Sequence, residues 1–253
     1  MPAMKVWDGS QWVDIQSIKY WNGSTWVEAQ AAYYWDGSQW VKFWPIITYE
    51  VIWLCDDDAQ KVYELSTSDF SVVRSASSPA LDPRGIGGDT NTIWHCDDLT
   101  DWVYELSTSD LGDIRHRDTP DVDPSGIGGD SSVIWHCDYE TNKMYELSTS
   151  DFSTVREKVG PASHPSGIGG DSSVIWLCDE FTDMIYEYSP TDLSRIRNAG
   201  TPYSNPWGVG GDTNTIWHCD TGARAVFELS TSDFSVIRSA GAPSTKPWGV
   251  GGK

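Results

Sequence analysis

The sequence predicts an all-β chain: a five-bladed β-propeller over residues 46–253, preceded by a β-hairpin repeat module over residues 1–45. Three observations predict it. The fragment Ile-Trp-(Leu/His)-Cys-Asp begins at Ile52, Ile93, Ile134, Ile175 and Ile216, 41 residues apart each time. Gly-(Ile/Val)-Gly-Gly begins at Gly85, Gly126, Gly167, Gly208 and Gly249 with the same spacing. A second repeat, Trp-(Asp/Asn)-Gly-Ser-(Gln/Thr)-Trp, starts at Trp7, Trp21 and Trp35 with a period of 14. A period of ~40–45 residues holding four strand-sized pieces marks propeller blades. The repeats carry no apolar period of ~3.6 and are rich in Gly, β-branched and aromatic residues, which sets helical repeats aside.

The N-terminal segment comes first. Asp-Gly or Asn-Gly between apolar flanks is a strong hairpin signal, so three small Trp-clamped hairpins are expected. A segment this short buries little surface by itself and should dock onto the propeller, onto copies of itself or onto a partner. One blade then reads as strand A at Gly126–Asp130, strand B at Val133–Asp138, strand C at Lys143–Leu147 and strand D at Phe152–Glu157. A Pro-rich loop leads to the next blade. The first B–C–D set, from Ile52, lacks a strand A, while the last strand A, Gly249–Gly252, has nothing after it. The C-terminal strand is therefore expected to close the first blade, which also removes exposed sheet edges. Strand A lies nearest the axis, where glycine lets a neighbour's bulk approach. Trp53, Trp94, Trp135, Trp176 and Trp217 on strand B are expected to supply that bulk.

Charge narrows the function classes. There are 37 acidic against 17 basic residues, a net charge of −20, so a phosphate backbone would be repelled and nucleic acid is not an expected partner. Aspartate supplies 27 of the acids and lysine only 8 of the bases, a balance that suits a salt-rich environment in which self-repulsion is screened. The longest mostly apolar stretch, Phe43–Cys55, is too short for a membrane helix and contains Glu50. The opening Met-Pro-Ala-Met-Lys-Val-Trp carries no apolar signal region, so neither membrane insertion nor classical secretion is expected.

Each blade carries a cysteine (Cys55, Cys96, Cys137, Cys178, Cys219), preceded by histidine in three of them (His95, His136, His218). Neighbouring strand residues point to opposite faces, so His95 and Cys96 cannot hold one metal ion together. Symmetry also puts the thiols in separate blades, beyond disulfide reach. Buried, reduced thiols are expected, with no metal or cofactor. Glu64, Glu105, Glu146, Glu187 and Glu228 on strand C face Arg74, Arg115, Arg156, Arg197 and Arg238 on strand D, a repeated cross-strand ion pair. The axial strands look nearly identical, apart from Lys253 where the others have Asp89, Asp130, Asp171 and Asp212. Catalysis needs unlike groups converging on one point, so this sameness leads to the expectation of a non-enzyme with no catalytic residues.

Variation is confined. The A–B and C–D turns hardly change between repeats, whereas the B–C and D–A loops differ, and in an up-and-down blade those loops share one face. Binding residues collect on loops held by a rigid scaffold. That face offers Asp57, Trp102, Tyr139, Phe181, Tyr203, Trp207 and Trp248, with Asp82, Asp123, His164 and Asn205 among them. Aromatic platforms beside carboxylates and amides suit a sugar or a protein surface.

Pro-Ser-Gly-Ile-Gly-Gly-Asp, Val-Ile-Trp-His-Cys-Asp and Met-Tyr-Glu-Leu resemble the blade rhythm of NHL and YWTD-type β-propellers over residues 46–253. The chain departs from those families in its cysteines, its tripled glycine and its blade number; five-bladed lectins of the tachylectin type share the count but not the motif. The unit Lys-Val-Trp-Asp-Gly-Ser-Gln-Trp-Val resembles short repeats of tail and virion proteins of phages and archaeal viruses. With the Asp-rich surface, the whole resembles a virion protein of a tailed virus of halophilic archaea. That resemblance implies a structural or attachment protein of a virus particle, made in the host cytoplasm. Its hairpins would join other virion proteins, and its variable face would meet a host surface glycoprotein or glycan, with homo-oligomers among the possible assemblies. The rival readings are a free lectin with pockets repeated between blades, and a lactonase-like hydrolase with a metal in the channel.

Overall fold

The computed structural model describes residues 51–160 and 164–252 together with six strands within residues 5–44; the hairpin turns, the side chains of residues 1–50 and Lys253 lie outside the described residues. The chain divides into two compact units, Met1–Thr48 and Tyr49–Lys253. In the first unit β1 (Lys5–Trp7) pairs with β2 (Trp12–Asp14), β3 (Lys19–Trp21) with β4 (Trp26–Glu28), and β5 (Ala32–Trp35) with β6 (Trp40–Trp44), all antiparallel. The register sets Trp7 opposite Trp12, Trp21 opposite Trp26 and Trp35 opposite Trp40, so each short repeat is one hairpin. The docking expected of these hairpins lies outside the described residues.

The second unit opens with β7 (Val51–Asp56), β8 (Lys61–Ser66) and β9 (Val72–Ser77). Next come β10 (Pro83–Gly88), β11 (Ile93–Asp97), β12 (Trp102–Leu106) and β13 (Asp113–Asp118), then β14 (Pro124–Gly129), β15 (Ile134–Asp138), β16 (Lys143–Leu147) and β17 (Thr154–Val159). They are followed by β18 (Pro165–Gly170), β19 (Ile175–Asp179), β20 (Met184–Tyr188) and β21 (Arg195–Gly200). The chain finishes with β22 (Pro206–Gly211), β23 (Ile216–Asp220), β24 (Ala225–Leu229), β25 (Val236–Gly241) and β26 (Pro247–Gly252). These strands form five four-stranded antiparallel sheets, the blades of a β-propeller. Four are consecutive in sequence, and the fifth is ordered β26-β7-β8-β9. There Gly249 pairs with Cys55 and Gly251 with Trp53, which closes the ring as the sequence predicts.

Each innermost strand starts two residues before the expected glycine, at Pro83, Pro124, Pro165, Pro206 or Pro247, with a register shift before the glycine. Proline has no N–H to offer, and the first position of an edge strand is where a ladder tolerates it.

The glycines admit something other than the expected tryptophan bulk. A Cβ on Gly87 would sit 2.8 Å from Gly128 Cα; the same holds for Gly128 against Gly169 (2.8 Å), Gly169 against Gly210 (2.8 Å), Gly210 against Gly251 (2.7 Å) and Gly251 against Gly87 (2.9 Å). Five backbones thus meet around the axis inside the distance any side chain needs. A void of about 10 Å³ remains beside them, too small to serve as a channel.

The strand-B tryptophans are buried farther out, between blades. Trp94, Trp135 and Trp176 donate their indole N–H to the carbonyls of Asp130, Asp171 and Asp212 in the next blade, at 3.0, 3.1 and 3.1 Å. Trp94 and Trp176 meet Phe152 and Phe234 edge-on at 5.8 Å.

The Glu–Arg pairs form in all five blades, and the arginines do more. In the third blade Arg156 holds Glu146 through Nε at 2.5 Å, while Nη1 donates to the Thr191 carbonyl of the following blade at 2.7 Å and Nη2 to that of Pro190. Arg238 makes the same clip from the last blade to Thr67 and Ser68 of the first.

The five thiols are free and buried. Burial pushes each thiol up, Cys178 to about 12, which suppresses the thiolate. His95, His136 and His218 are buried with Nδ1 against the Gly85, Gly126 and Gly208 carbonyls at 2.7, 2.8 and 2.8 Å.

Candidate functional site

The cleft begins with one column of the repeat. The residue after each strand-A proline is Arg84, Ser125, Ser166, Trp207 or Trp248, five side chains of very unequal size at the mouth of the axis. On one side Trp207 stacks on Trp248, centroids 4.6 Å apart and planes within 12°, and the Arg84 guanidinium lies 3.8 Å over Trp248. On the other side Ser125 and Ser166 are small, and each hydroxyl donates to the Pro165 or Pro206 carbonyl at 2.6 Å. Bulk facing emptiness leaves a cleft of about 330 Å³. It is lined by Arg84, Asp98, Asp123, Pro124, Ser125, Tyr139, Glu140, Glu180 and Trp207. It opens on the face of the B–C and D–A loops. The Tyr139 and Trp207 rings stand parallel within 6°, centroids 6.3 Å apart.

Among the described residues its lining is acidic, with Arg84 as the cation. Arg84 reaches Asp98 at 2.6 Å and Asp82 at 3.1 Å. Burial pushes the Asp98 carboxyl up to about 6 against the pull of Arg84, and a hydrogen bond with Asp123 adds to the rise. Asp82 is also raised, chiefly by burial. Burial raises the Tyr139 hydroxyl, and the neighbouring Glu180 carboxylate raises it further. Glu180 Oε2 and His164 Nδ1 are buried without a hydrogen-bond partner of their own.

Of the residues expected on this face, Tyr139, Trp207 and Asp123 line the cleft. Trp248 backs its wall through Trp207. His164 lies 4.6 Å from Tyr139 and 5.7 Å from Phe181, continuing an aromatic track outward. The others go elsewhere. Asp57 pairs with Lys246 at 2.9 Å. Trp102 stacks on His116 at 4.2 Å and donates to Asp118 at 2.9 Å. Tyr203 leans toward Phe227 at 6.0 Å. Asn205 holds a positive φ of 80° and ties its loop to the preceding B–C loop, its N–H donating to Asp183 Oδ1 at 3.2 Å. Missed by the sequence reading were Arg84, Asp98, Glu140, Glu180 and Ser125. Two columns carried the signal: the residue after each strand-A proline, and the residue after each Cys-Asp (Asp57, Asp98, Tyr139, Glu180, Thr221).

Exposed apolar groups follow the same face. Leu81, Leu99, Val122, Phe181 and Tyr203, all on B–C or D–A loops, are more than half exposed. Among the described residues, the other large exposed aliphatics lie on the outermost strands, and the A–B and C–D turns contribute none.

No protein-family model matches the chain, and no curated protein matches it. Solved structures do. A glutaminyl cyclase from Myxococcus xanthus aligns with a TM-score of 0.53 and 11% identity over 67% of this chain and 70% of that one. A nidogen/laminin complex aligns with a TM-score of 0.54 and 18% identity over 85% and 89%. A streptogramin B lyase shows 20% identity over 86% and 78%, with a TM-score of 0.48. The glutaminyl cyclase and nidogen/laminin likenesses agree with the architecture. It is a β-propeller.

The expectation of a non-enzyme is corrected on two grounds. One neighbour in fold, the glutaminyl cyclase, is an enzyme, so this architecture accommodates catalysis. The premise of near-identical axial strands also fails, because Arg84, two serines and two tryptophans meet at one mouth. Neither ground makes this chain an enzyme. Among the described residues, no group of three or more His, Cys, Asp or Glu stands where it could hold a metal ion, and no helix is long and apolar enough to cross a membrane.

Proposed function

We propose that the chain is an attachment module of a virus particle, anchored through its hairpin unit and contacting a host surface glycoprotein or glycan with the variable face of the propeller. The observation that carries the binding part is the cleft of about 330 Å³ among loops that differ from blade to blade. The segregation of exposed Leu81, Leu99, Val122, Phe181 and Tyr203 to that face supports a macromolecular contact around it. The nidogen/laminin complex supports the reading at the level of fold. The viral setting is supported by the hairpin repeat and by the net charge of −20, which suits a saline medium.

The test is direct. The full chain, immobilised, is exposed to isolated surface glycoprotein and to a glycan array. Trp207→Ala and Tyr139→Ala should abolish capture, while Thr90→Ala on the opposite face leaves it unchanged. Equal loss from changes on both faces would overturn the assignment. For the anchoring part, a chain lacking residues 1–45 that still joined particles normally would overturn it.

One observation favours a second reading. Asp98 and Asp123 both line the cleft and hydrogen-bond each other, a carboxyl pair in which burial raises Asp98, so hydrolysis of the bound glycan is the alternative. It requires that Asp98→Asn abolish cleavage while binding persists.

A further inference from the structure

The cleft holds more negative charge than its architecture uses. Among the described residues Asp98, Asp123, Glu140 and Glu180 line it, against one lining cation, Arg84. That guanidinium is already committed to Asp82 at 3.1 Å, to Asp98 at 2.6 Å and to the Trp248 face at 3.8 Å. What remains lining the cleft beside the parallel rings of Tyr139 and Trp207 is Glu140, Glu180, which interacts with the Tyr139 hydroxyl, and Asp123, which hydrogen-bonds Asp98.

We infer that the cleft takes an organic cation, a guanidinium or ammonium group on an apolar stem, presented by a basic side chain of the surface partner. This rests on the binding reading above and names its chemistry. A neutral sugar would satisfy the ring faces but leave the surplus charge uncompensated in a partly desolvated site. An anion would meet repulsion from every unpaired carboxylate. A cation satisfies both, because aromatic faces attract it and carboxylates accept its N–H groups. The molecule supplies its own precedent, Arg84 seated on Trp248 within the same wall. Room for a second such group exists because Ser125, rather than a bulky residue, lines the cleft with its hydroxyl already bonded to backbone.

The experiment is isothermal titration of the full chain with three probes: agmatine, an acetylated arginine-containing peptide amide and methyl glucoside. The two cations should bind and the glucoside should not. Glu180→Gln and Glu140→Gln, near-isosteric exchanges that preserve the fold, should each weaken cation binding by roughly tenfold. Trp207→Ala should remove it; should that variant unfold, the two glutamine variants decide alone. Peptide bound more tightly than agmatine supports a side chain on a protein partner. Equal affinity overturns that source and leaves a free small cation as the ligand.

Glucoside binding that depends on Trp207, with no response to either cation, would overturn the inference and leave the binding reading standing. No binding of any probe, with capture of surface glycoprotein undiminished in Trp207→Ala, would overturn both.

Discussion

One added methyl at the axis should be among the costliest small changes in this molecule. A Cβ at Gly128 would stand 2.8 Å from Gly169 Cα and 3.0 Å from the Ile168 carbonyl, both backbone atoms that cannot swing aside. Gly128→Ala should lose about 3 kcal/mol or more of unfolding free energy in urea, at the upper end of overpacking costs. Gly241→Ala, with nothing within 4 Å of its Cβ, should stay within ~0.5 kcal/mol of the parent. Equal effects would deny that close backbone contact explains the glycines. Titration gives a second residue-scale test. Burial holds His136 down at about 4, as it does His95 and His218. Unfolded, each ring takes its proton near ~6.5, so the unfolded chain binds more protons below that pH. Stability should therefore be full above about 6.5 and fall as the pH drops toward 4, by up to ~1.4 kcal/mol per pH unit per ring. Asp98 and Asp220, each raised to about 6 mainly by burial, act in the opposite sense and offset part of the loss, since their contribution fades as pH rises. His136→Gln should flatten the acid limb of stability against pH; a slope unchanged from the parent would refute a neutral buried imidazole. At this scale the site was only half legible. Tyr139 and Trp207 stand out as aromatics, but Asp98 and Glu180, in the same column as Tyr139, do not stand out among 37 acids. Ser125 and Ser166 matter by being small, which no composition argument can register.

A blade is held to its neighbour by its outer strands as much as by the glycine axis. The Arg156 guanidinium spans Glu146 in its own blade and two turn carbonyls, Thr191 and Pro190, in the next. Lysine carries one ammonium and cannot reproduce that planar fork. Arg156→Lys should cost about 1–3 kcal/mol, because two carbonyls and a carboxylate lose their donors together. Arg238 makes the equivalent clip across the closure between last and first blades, so Arg238→Lys should cost a similar amount. Differential scanning calorimetry checks both; loss confined to one of them would mean that the clips are not equivalent. Within a blade, the cross-strand glutamate–arginine pair follows from hairpin register and could be read from sequence. Its reach into the next blade could not, since it depends on the angle between sheets. Strand A illustrates the same limit: proline read as a loop signal hid two residues of the innermost strand.

For the whole molecule the governing quantity is charge. Thirty-seven acids against 17 bases leave −20 on one chain, and the ion pairs of the propeller neutralise it only locally. In dilute buffer the screening length is about 30 Å, so like charges repel across much of the fold; near molar salt it shrinks to about 3 Å and only neighbours interact. Unfolding separates these charges, so repulsion favours the unfolded chain and salt should raise the unfolding midpoint steeply at first, then level off. Sodium and potassium chloride should act alike if screening is the cause, and sucrose should not reproduce the early rise. The cleft should respond differently. Its carboxylates are partly buried and shielded less by mobile ions, so cation affinity should decline more gently with salt than stability improves. A midpoint unchanged on dialysis into dilute buffer would remove the argument that this surface is matched to a saline setting. The fold and the cleft, which rest on packing and on side chains converging at the axis, would be untouched.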